Sequence, residues 1–218
     1  NEVLKPGDSI PTERELCKIQ GVSRMTVNKA IMSLVNEGLI YRQQGKGTFV
    51  SIAKVNREIS LLKGFSEQMQ DNGVISKTKI LSFEIIDATK QCMLELKMPI
   101  DENKIIEIKR LRFGDQQPVA IETAWLPYCL FDGMTRDMVE GKSLFSIFRE
   151  KYGYYPYEAK QIIEPILLNE YDSELLNQDK YALALTFRRT TYLENGTPIE
   201  YTKAIYRSDK YKYQVTLK

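Results

Sequence analysis

The first fifty residues show two short helical patterns separated by one tight break. Residues 12–15 read Thr-Glu-Arg-Glu, a capping box in which each outer side chain accepts a hydrogen bond from the other residue's backbone amide. The helix that it opens is expected to end at Gly21, because glycine readily takes the left-handed conformation of a helix end. Ser23 is a good N-cap for a second helix, whose buried face is predicted from apolar residues at helical spacing: Val27, Ala30, Ile31 and Leu34.

Two short extended segments follow the second helix. Residues 39–42 and 48–50 flank the glycine-rich, basic tip Gly45-Lys46-Gly47 and predict a β-hairpin. Helix, tight turn, helix and hairpin in this order form a winged helix-turn-helix. In such a unit the second helix enters the DNA major groove, and the hairpin tip approaches a phosphate or the minor groove. The alternative is a small helical subdomain with a hairpin and no role in DNA binding.

The rest of the chain alternates strand-like and helical segments after a polar stretch without periodicity. Residues 52–63 form that stretch, and we interpret them as a linker between a domain at 1–51 and a domain at 64–218. Strands are predicted at residues 76–86, 105–113, 118–126, 157–168, 183–193, 199–206 and 211–217, and helices at 64–70, 143–152 and 169–177. Hairpin signals such as Asn195-Gly196 join the strands, so the predicted fold class is α+β with a mostly antiparallel C-terminal sheet.

The predicted strand at residues 105–113 carries charge where a core is expected. Its even positions are Ile106, Ile108, Arg110 and Arg112, and side chains at alternate positions of a strand share one face. If the isoleucines face the core, both guanidinium groups point to a buried or concave place, where unpaired charge is costly. An anionic ligand would meet that need, with Ser143 at a helix N-terminus completing a phosphate cradle.

Two other interpretations of this strand remain open. Glu122 and Glu200 lie in strands that are otherwise largely uncharged. They are candidates to accept hydrogen bonds from sugar hydroxyl groups, but they could equally pair with Arg110 and Arg112 in a purely structural ion network. In the second alternative the arginine face is simply exposed to solvent.

The composition narrows the chemistry. The chain has 218 residues, no His, and three Cys that lie far apart: Cys17, Cys92 and Cys129. The absence of His excludes Ser-His-Asp and Cys-His catalysis and removes the commonest metal ligand. Because the Cys residues are odd in number and far apart in the chain, we expect reduced thiols and not disulfides or a metal site. We therefore expect no enzyme, no cofactor and no metal, although carboxylates alone are able to support some catalysis.

Charge and hydropathy indicate the partner and the compartment. Residues 1–55 carry a net charge of +3, whereas the whole chain carries +2, and a basic N-terminal part favours a polyanionic partner. No apolar run approaches the ~18–20 residues that span a bilayer. We also find no charged leader followed by an apolar run, so we expect a cytoplasmic protein without a membrane partner. The chain begins at Asn1, and we expect part of the natural N-terminus to be missing.

The N-terminal domain resembles the GntR family of bacterial transcription regulators. The resemblance covers residues 4–50 and rests on Lys5-Pro6-Gly7, residues 10–16, residues 22–27, Glu37-Gly38-Leu39-Ile40 and residues 44–50. It implies a winged helix-turn-helix whose start is truncated, because an additional helix normally precedes these motifs. It also implies DNA contacts from Arg14, Ser23, Arg24, Thr26, Gly45, Lys46 and Gly47. Many relatives have Arg at the position of Asn28, and Asn pairs with adenine where Arg prefers guanine, so we expect an altered base preference there.

The C-terminal domain resembles the UTRA effector-binding domain of the HutC subgroup of GntR regulators. The resemblance covers about residues 64–218 and rests on residues 64–67, 110–112, 118–122, 188–192, 196–200 and 206–209. It implies a fold similar to chorismate lyase that is used for sensing. It also implies an effector pocket formed by Phe65, Ser66, Arg110, Arg112, Glu122, Ser143, Phe145, Glu200 and Tyr206. Phe145 is a departure, since relatives that sense amino-sugar phosphates often have Tyr there.

Together these observations predict a transcription regulator, expected to be a repressor. Its operator affinity is expected to respond to a small anionic effector, most simply a sugar phosphate. Two protomers would form a homodimer on a palindromic double-stranded operator, because dimer symmetry is mirrored in the half-sites. The alternatives are a lyase-type enzyme acting on a small anionic substrate, and an architectural DNA binder whose C-terminal domain has a structural role.

Overall fold

The chain folds into two compact units. The computed structural model describes residues 4–43, 45–51, 55–58 and 62–214. The first unit is Asn1–Lys54 and the second is Val55–Lys218. Each unit is described by itself.

The N-terminal unit consists of two helices and a hairpin, as the sequence predicts. Its elements are α1 (Glu13–Gln20), α2 (Arg24–Asn36), β1 (Ile40–Gln43) and β2 (Gly47–Val50). The capping box is present, with Thr12 and Glu15 each accepting from the other's backbone, and Gly21 ends α1 in the left-handed conformation. The hydroxyl of Ser23 caps α2 by accepting from the Thr26 amide. The strands β1 and β2 pair antiparallel, and Ser9 adds an isolated bridge to Phe49.

The core of this unit is narrower than predicted. Its buried members are Val27, Ile31 and Ile40. The prediction that Ala30 and Leu34 are also buried was wrong, since both are exposed. The buried residues of α2 lie four apart, so only a thin stripe of the helix packs against the rest of the unit.

The C-terminal unit contains eight strands and five α-helices within the described residues. The strands are β3 (Val55–Glu58), β4 (Ser76–Asp87), β5 (Lys104–Gly114), β6 (Gln117–Pro127), β7 (Glu158–Leu167), β8 (Leu183–Tyr192), β9 (Pro198–Arg207) and β10 (Tyr211–Gln214). The helices are α3 (Phe65–Asp71), α4 (Lys90–Glu95), α5 (Arg136–Val139), α6 (Leu144–Tyr152) and α7 (Glu170–Leu176). A short 3-10 helix, Tyr128–Leu130, follows β6.

Six strands form one antiparallel sheet in the order β4-β5-β6-β9-β8-β7. The α+β class and the antiparallel sheet are therefore confirmed. The short elements β3, α4 and α5 were not predicted, because four to six residues carry too little periodicity. Residues 215–217 of the predicted last strand lie outside the described residues.

A separate parallel pair joins the start and the end of this unit. The strand β3 lies inside the predicted linker and pairs with β10. Residues 55–58 therefore fold as part of the C-terminal unit.

One face of the sheet carries two apolar clusters. The first includes Ile106 and Ile108 of β5 together with Phe145 and Phe148 of α6. The second includes Phe65 and Met69 of α3 with Ala120, Phe187, Tyr206 and Tyr211. Arg110 and Arg112 follow Ile106 and Ile108 along the same face of β5, so their charged side chains lie beside these two apolar clusters.

Candidate functional site

A band of buried charge crosses the sheet. The exposed fractions of the residues are 1% for Arg110, 3% for Arg112, 6% for Glu122 and 1% for Glu200. Ile106 and Ile108 on the same face are fully buried. Arg110 lies directly opposite Glu122 in the β5–β6 register. The interpretation that the arginine face is exposed to solvent was wrong, because both guanidinium groups lie inside the unit.

One carboxylate serves both guanidinium groups. Glu122 Oε1 accepts hydrogen bonds from Arg110 Nη2 and from Arg112 Nη2, the latter at 2.9 Å. Arg112 Nη1 donates to Thr78 Oγ1 at 2.8 Å, and the Arg112 guanidinium lies over the Phe65 ring, 4.9 Å from its centroid. The ion network that the sequence left open as an alternative is thus present in part.

That network does not satisfy the arginines. Among the described residues, Arg110 Nε, Arg110 Nη1 and Arg112 Nε are buried without a hydrogen-bond partner. An unpaired buried polar group costs free energy of about 1–3 kcal/mol, and more when it is charged. Two positive groups share one negative group here, so the cluster carries excess positive charge that a bound anion would neutralise.

Burial and neighbouring charges lower the pKa values of both Arg110 and Glu122. Burial, together with the charge of Arg112, lowers the pKa of Arg110 to about 10, so Arg110 remains charged at neutral pH. Burial alone would raise the pKa of Glu122, but Arg110 and Arg112 outweigh it and lower that pKa well below its usual range. Glu122 is therefore a carboxylate at every pH at which the protein is expected to work.

A narrow cavity lies beside this band of charge. The cavity is lined by Gly64, Phe65, Ser66, Arg110, Arg112, Glu122, Ser143, Leu144, Phe145, Arg189 and Glu200. Ser143 occupies the N-cap position of α6, but its hydroxyl makes no capping hydrogen bond. That hydroxyl and the amides of the first helical turn are therefore available at the cavity wall.

Of the predicted effector residues, all except Tyr206 line this cavity. Tyr206 is 2% exposed and packs edge-to-face against Phe187 and Tyr211, with ring centroids 5.2 and 4.9 Å away. The structure thus places Tyr206 in the second apolar cluster, which it shares with the lining residue Phe65, and Tyr206 itself is not among the lining residues.

Sequence reasoning missed Gly64, Leu144 and Arg189. Gly64 and Leu144 are neighbours of predicted residues and carry no polar side-chain signal. Arg189 follows Arg188 directly in β8, and two adjacent arginines on a strand point to opposite faces. Only the register decides which one faces the cavity, and Arg188 pairs instead with Glu164 of β7.

The predicted DNA-contacting residues all lie exposed on the N-terminal unit: Arg14, Ser23, Arg24, Thr26, Asn28, Gly45, Lys46 and Gly47. The first turn of α2 contains no acidic residue, so its N-terminus favours an approaching phosphate. Gly45 and Gly47 have φ of 73° and 124°, a backbone conformation that residues with side chains rarely adopt. Asn28 Nδ2 donates to Glu13 Oε1 at 3.1 Å, and Arg42 pairs with the same oxygen.

No helix in the part of the chain that the structure describes is long and apolar enough to cross a membrane. Within the same residues, no group of three or more Cys, Asp or Glu side chains is placed to hold a metal ion.

Comparison with known proteins gives a consistent result. The UTRA domain profile matches residues 71–212, and the profile of bacterial regulatory proteins of the gntR family matches residues 1–50. The HTH-type transcriptional repressor NagR of Bacillus subtilis strain 168 is 35% identical, over 98% of this chain and 87% of NagR. The mannosyl-D-glycerate transport/metabolism system repressor MngR of Escherichia coli K12 is 33% identical, over 96% of this chain and 87% of MngR.

A solved structure shares the fold. The crystal structure of PhnF from Mycobacterium smegmatis superposes with a TM-score of 0.74 and 22% identity, covering 99% of this chain and 94% of PhnF. The lyase-type enzyme that the sequence left open is not supported, because the matching proteins are regulators. The chain belongs to the GntR family of bacterial regulatory proteins, in its UTRA-containing HutC subgroup, and is a DNA-binding transcription regulator and not an enzyme.

Proposed function

We propose that this regulator is a cytoplasmic repressor that releases its operator when a phosphorylated sugar occupies the C-terminal cavity. The observation that carries the proposal is the excess positive charge at Arg110 and Arg112, which share the single carboxylate of Glu122. With Arg189 and Glu200, the cavity wall holds three guanidinium groups and two carboxylates. The binding of one anion would balance this charge.

A phosphate group fits the donors at this position better than a carboxylate does. Arg110 and Arg112 present several N–H groups, and Ser143 adds a hydroxyl at the N-terminus of α6, whose first turn contains no acidic residue. Phosphate offers oxygens in three directions and pairs strongly with guanidinium groups and helix N-termini.

The remainder of the effector is proposed to be a sugar derivative. Glu200 lies at the cavity wall and is able to accept hydrogen bonds from hydroxyl groups. The name of the relative MngR refers to mannosyl-D-glycerate, a sugar derivative, which supports a sugar-based effector here. Phe145 contributes an apolar ring to the same wall.

On the DNA side, we propose that α2 enters the major groove. Its N-terminal residues Ser23, Arg24 and Thr26 would contact base edges or adjacent phosphates, while Lys46 at the hairpin tip would contact a phosphate. Asn28 would give up its hydrogen bond to Glu13 and form hydrogen bonds with the edge of an adenine.

A homodimer on a palindromic operator is part of the proposal. The C-terminal unit exposes large apolar side chains on and beside its edge strand β7, with exposed fractions of 66% for Tyr157, 56% for Ile162 and 63% for Leu167. Burial of such a surface between two copies is favourable. Two copies would present two winged helices to two half-sites.

Calorimetry with phosphorylated and unphosphorylated sugars tests the effector. We expect binding of a hexose 6-phosphate, weaker binding of inorganic phosphate and no binding of the free sugar. Arg110→Ala with Arg112→Ala should weaken sugar-phosphate binding by at least about 100-fold, since each charge-assisted contact contributes about 1.5–3 kcal/mol. Operator binding by this variant should be unchanged.

Two controls keep this test decisive. Arg188→Ala removes an arginine from the opposite face of β8 and should leave both sugar-phosphate binding and operator binding unchanged. The triple change Arg110→Met, Arg112→Met and Glu122→Gln removes the guanidinium groups without leaving a buried carboxylate uncompensated. Sugar-phosphate binding by a folded triple variant at wild-type affinity would refute the proposed function.

A further inference from the structure

Two arginines of the C-terminal unit, Arg207 and Arg189, differ in how many of their donors are used. Arg207 has its donors well used: Nε and Nη2 donate to the two carboxylate oxygens of Asp209 at 3.0 and 2.6 Å. Its Nη1 donates to the carbonyl oxygens of Pro118 and Leu176 at 3.1 and 3.3 Å. Arg207 is thus an example, in this same molecule, of a structural arginine.

Arg189 has far fewer contacts. Its side chain is 12% exposed, and its hydrogen bond within the described residues is a 3.4 Å contact from Nη2 to Glu200 Oε2. Its Nε is buried with no partner there. Charge-assisted N–H···O bonds usually measure about 2.7–2.9 Å, so this contact is long, and the other donors of Arg189 have no hydrogen-bond partner among the described residues.

Glu200 does not depend on Arg189 for its position. The hydroxyl of Thr191 donates to the same oxygen, Glu200 Oε2, at 2.9 Å. Arg189 is itself held against the cavity wall by the ring of Phe145, with its guanidinium carbon 5.3 Å from the ring centroid. The side chain is therefore oriented at the wall with donors to spare, which a purely structural role does not explain.

The two halves of the cavity differ in charge. Arg110, Arg112 and Glu122 carry an excess positive charge, whereas Arg189 and Glu200 form a neutral pair. A neutral arginine–carboxylate pair offers donors and acceptors side by side, and adjacent hydroxyl groups of a sugar need both at once.

We propose that Arg189 is a specificity-determining residue of the effector cavity. With Glu200 it forms a polyol-binding subsite in which Arg189 donates to, and Glu200 accepts from, neighbouring hydroxyl groups of the ligand. The phosphate of the same ligand lies at Arg110 and Arg112. This inference rests on the proposed function, and it assigns to Arg189 the selection of a polyhydroxylated phosphate ester over a bare phosphate.

The test measures selectivity and not affinity alone. Dissociation constants are measured by calorimetry for inorganic phosphate, glycerol 3-phosphate, glucose 6-phosphate, fructose 6-phosphate and glucosamine 6-phosphate. The proteins are the full chain, Arg189→Met, Arg189→Lys and the matched control Arg188→Met. Met keeps the apolar stem of Arg189 without its donors, while Lys keeps the charge without the planar fork.

For the wild type we expect the tightest hexose 6-phosphate to bind at least about 30-fold more tightly than inorganic phosphate. Arg189→Met should weaken binding of that hexose phosphate by 10-fold or more and change the affinity for inorganic phosphate by less than 2-fold. The affinity of Arg189→Lys for the hexose phosphate should fall between that of the wild type and that of Arg189→Met. The affinities of Arg188→Met should match those of the wild type.

Three outcomes would count against the inference. If Arg189→Met lost affinity equally for inorganic phosphate and hexose phosphate, Arg189 would belong to the anion site or would only stabilise the fold. If the variant kept the selectivity of the wild type, Arg189 would have no role in choosing the ligand. Failure of the wild type to bind any of these phosphates would refute the proposed function itself, which is distinguishable from a selective effect at Arg189.

Discussion

The two units build their functional surfaces in opposite ways. In the N-terminal unit, Arg24 and Lys46 are exposed, and the polar contacts around them are local, as between Ser23 and Thr26. In the C-terminal unit, Arg110 and Arg112 are buried and reach residues 12 and 34 positions away in the chain, Glu122 and Thr78.

This difference agrees with the sizes of the ligands proposed for the two units. A DNA duplex is a large polyanion that cannot be enclosed, so its contacts come from exposed cations whose attraction is screened by salt. A small anion can be enclosed, and buried donors interact with it much more strongly than exposed ones do. Substitutions in the cavity should therefore alter stability and ligand binding together, whereas substitutions in the N-terminal unit should alter DNA binding alone.

The largest expected effect is on stability, from Glu122→Gln. Removal of one partner of a buried ion pair leaves uncompensated charge and costs about 3–5 kcal/mol in free energy of unfolding. Urea unfolding followed by the fluorescence of Trp125, the single Trp of the chain, reports on this unit. The matched control Glu164→Gln breaks a surface pair with Arg188 and should cost less than about 1 kcal/mol.

The same variant has a pH signature. The pKa of Glu122 is lower in the folded state than its ordinary value, so its contribution to stability is complete above the unfolded pKa and is lost as pH falls toward the folded pKa. Between pH 5 and pH 3 the wild type should lose stability more steeply than Glu122→Gln, by up to about 1.4 kcal/mol per pH unit. Parallel curves for the two proteins would contradict the charged state assigned to Glu122.

An intermediate effect is expected on operator affinity from Arg24→Ala. Using an operator selected from random duplexes, loss of this side chain should cost about 1–3 kcal/mol in binding free energy and relax the preference at one base pair. Fluorescence anisotropy measures the affinity, and Lys180→Ala in the C-terminal unit controls for the lost charge. The free energy of unfolding and the effector affinity should not change, and a fall in either would break the contrast between the two units.

The smallest expected effect is that of Lys46→Ala at the hairpin tip. A single phosphate contact contributes little to the DNA-binding free energy and has no sequence preference. Binding to the selected duplex and binding to random duplexes should therefore be weakened alike. The slope of log affinity against log salt concentration should decrease by about 1. An unchanged slope would show that Lys46 does not contact DNA.

The sequence predicted the N-terminal unit well because its signals are local. The capping box at Thr12, the helix end at Gly21 and the N-cap at Ser23 each depend on residues within four positions. The exposure of Leu34 was mispredicted because it depends on how much of α2 the rest of the unit covers, which helical periodicity does not determine.

For the C-terminal unit, alternation along one strand predicted that Arg110 and Arg112 face inward. It did not predict that Arg189 rather than Arg188 reaches the cavity, since that choice depends on the register between β8 and β9. Nor did it place Tyr206 in the apolar cluster with Phe187 and Tyr211, because those contacts depend on how β8, β9 and β10 pack together. Alternation along one strand does not determine the pairing and packing of neighbouring strands.

The coupling between the two units is tested most directly by calorimetry of the tightest-binding hexose 6-phosphate, with free protein and with protein saturated by its selected operator. A ligand shifts an equilibrium between two states only by its differential affinity for them. The effector should bind the operator complex about 5–150-fold more weakly than the free protein, the usual range of allosteric coupling. Equal affinity in the two titrations would contradict the proposal that occupancy of the cavity controls DNA binding.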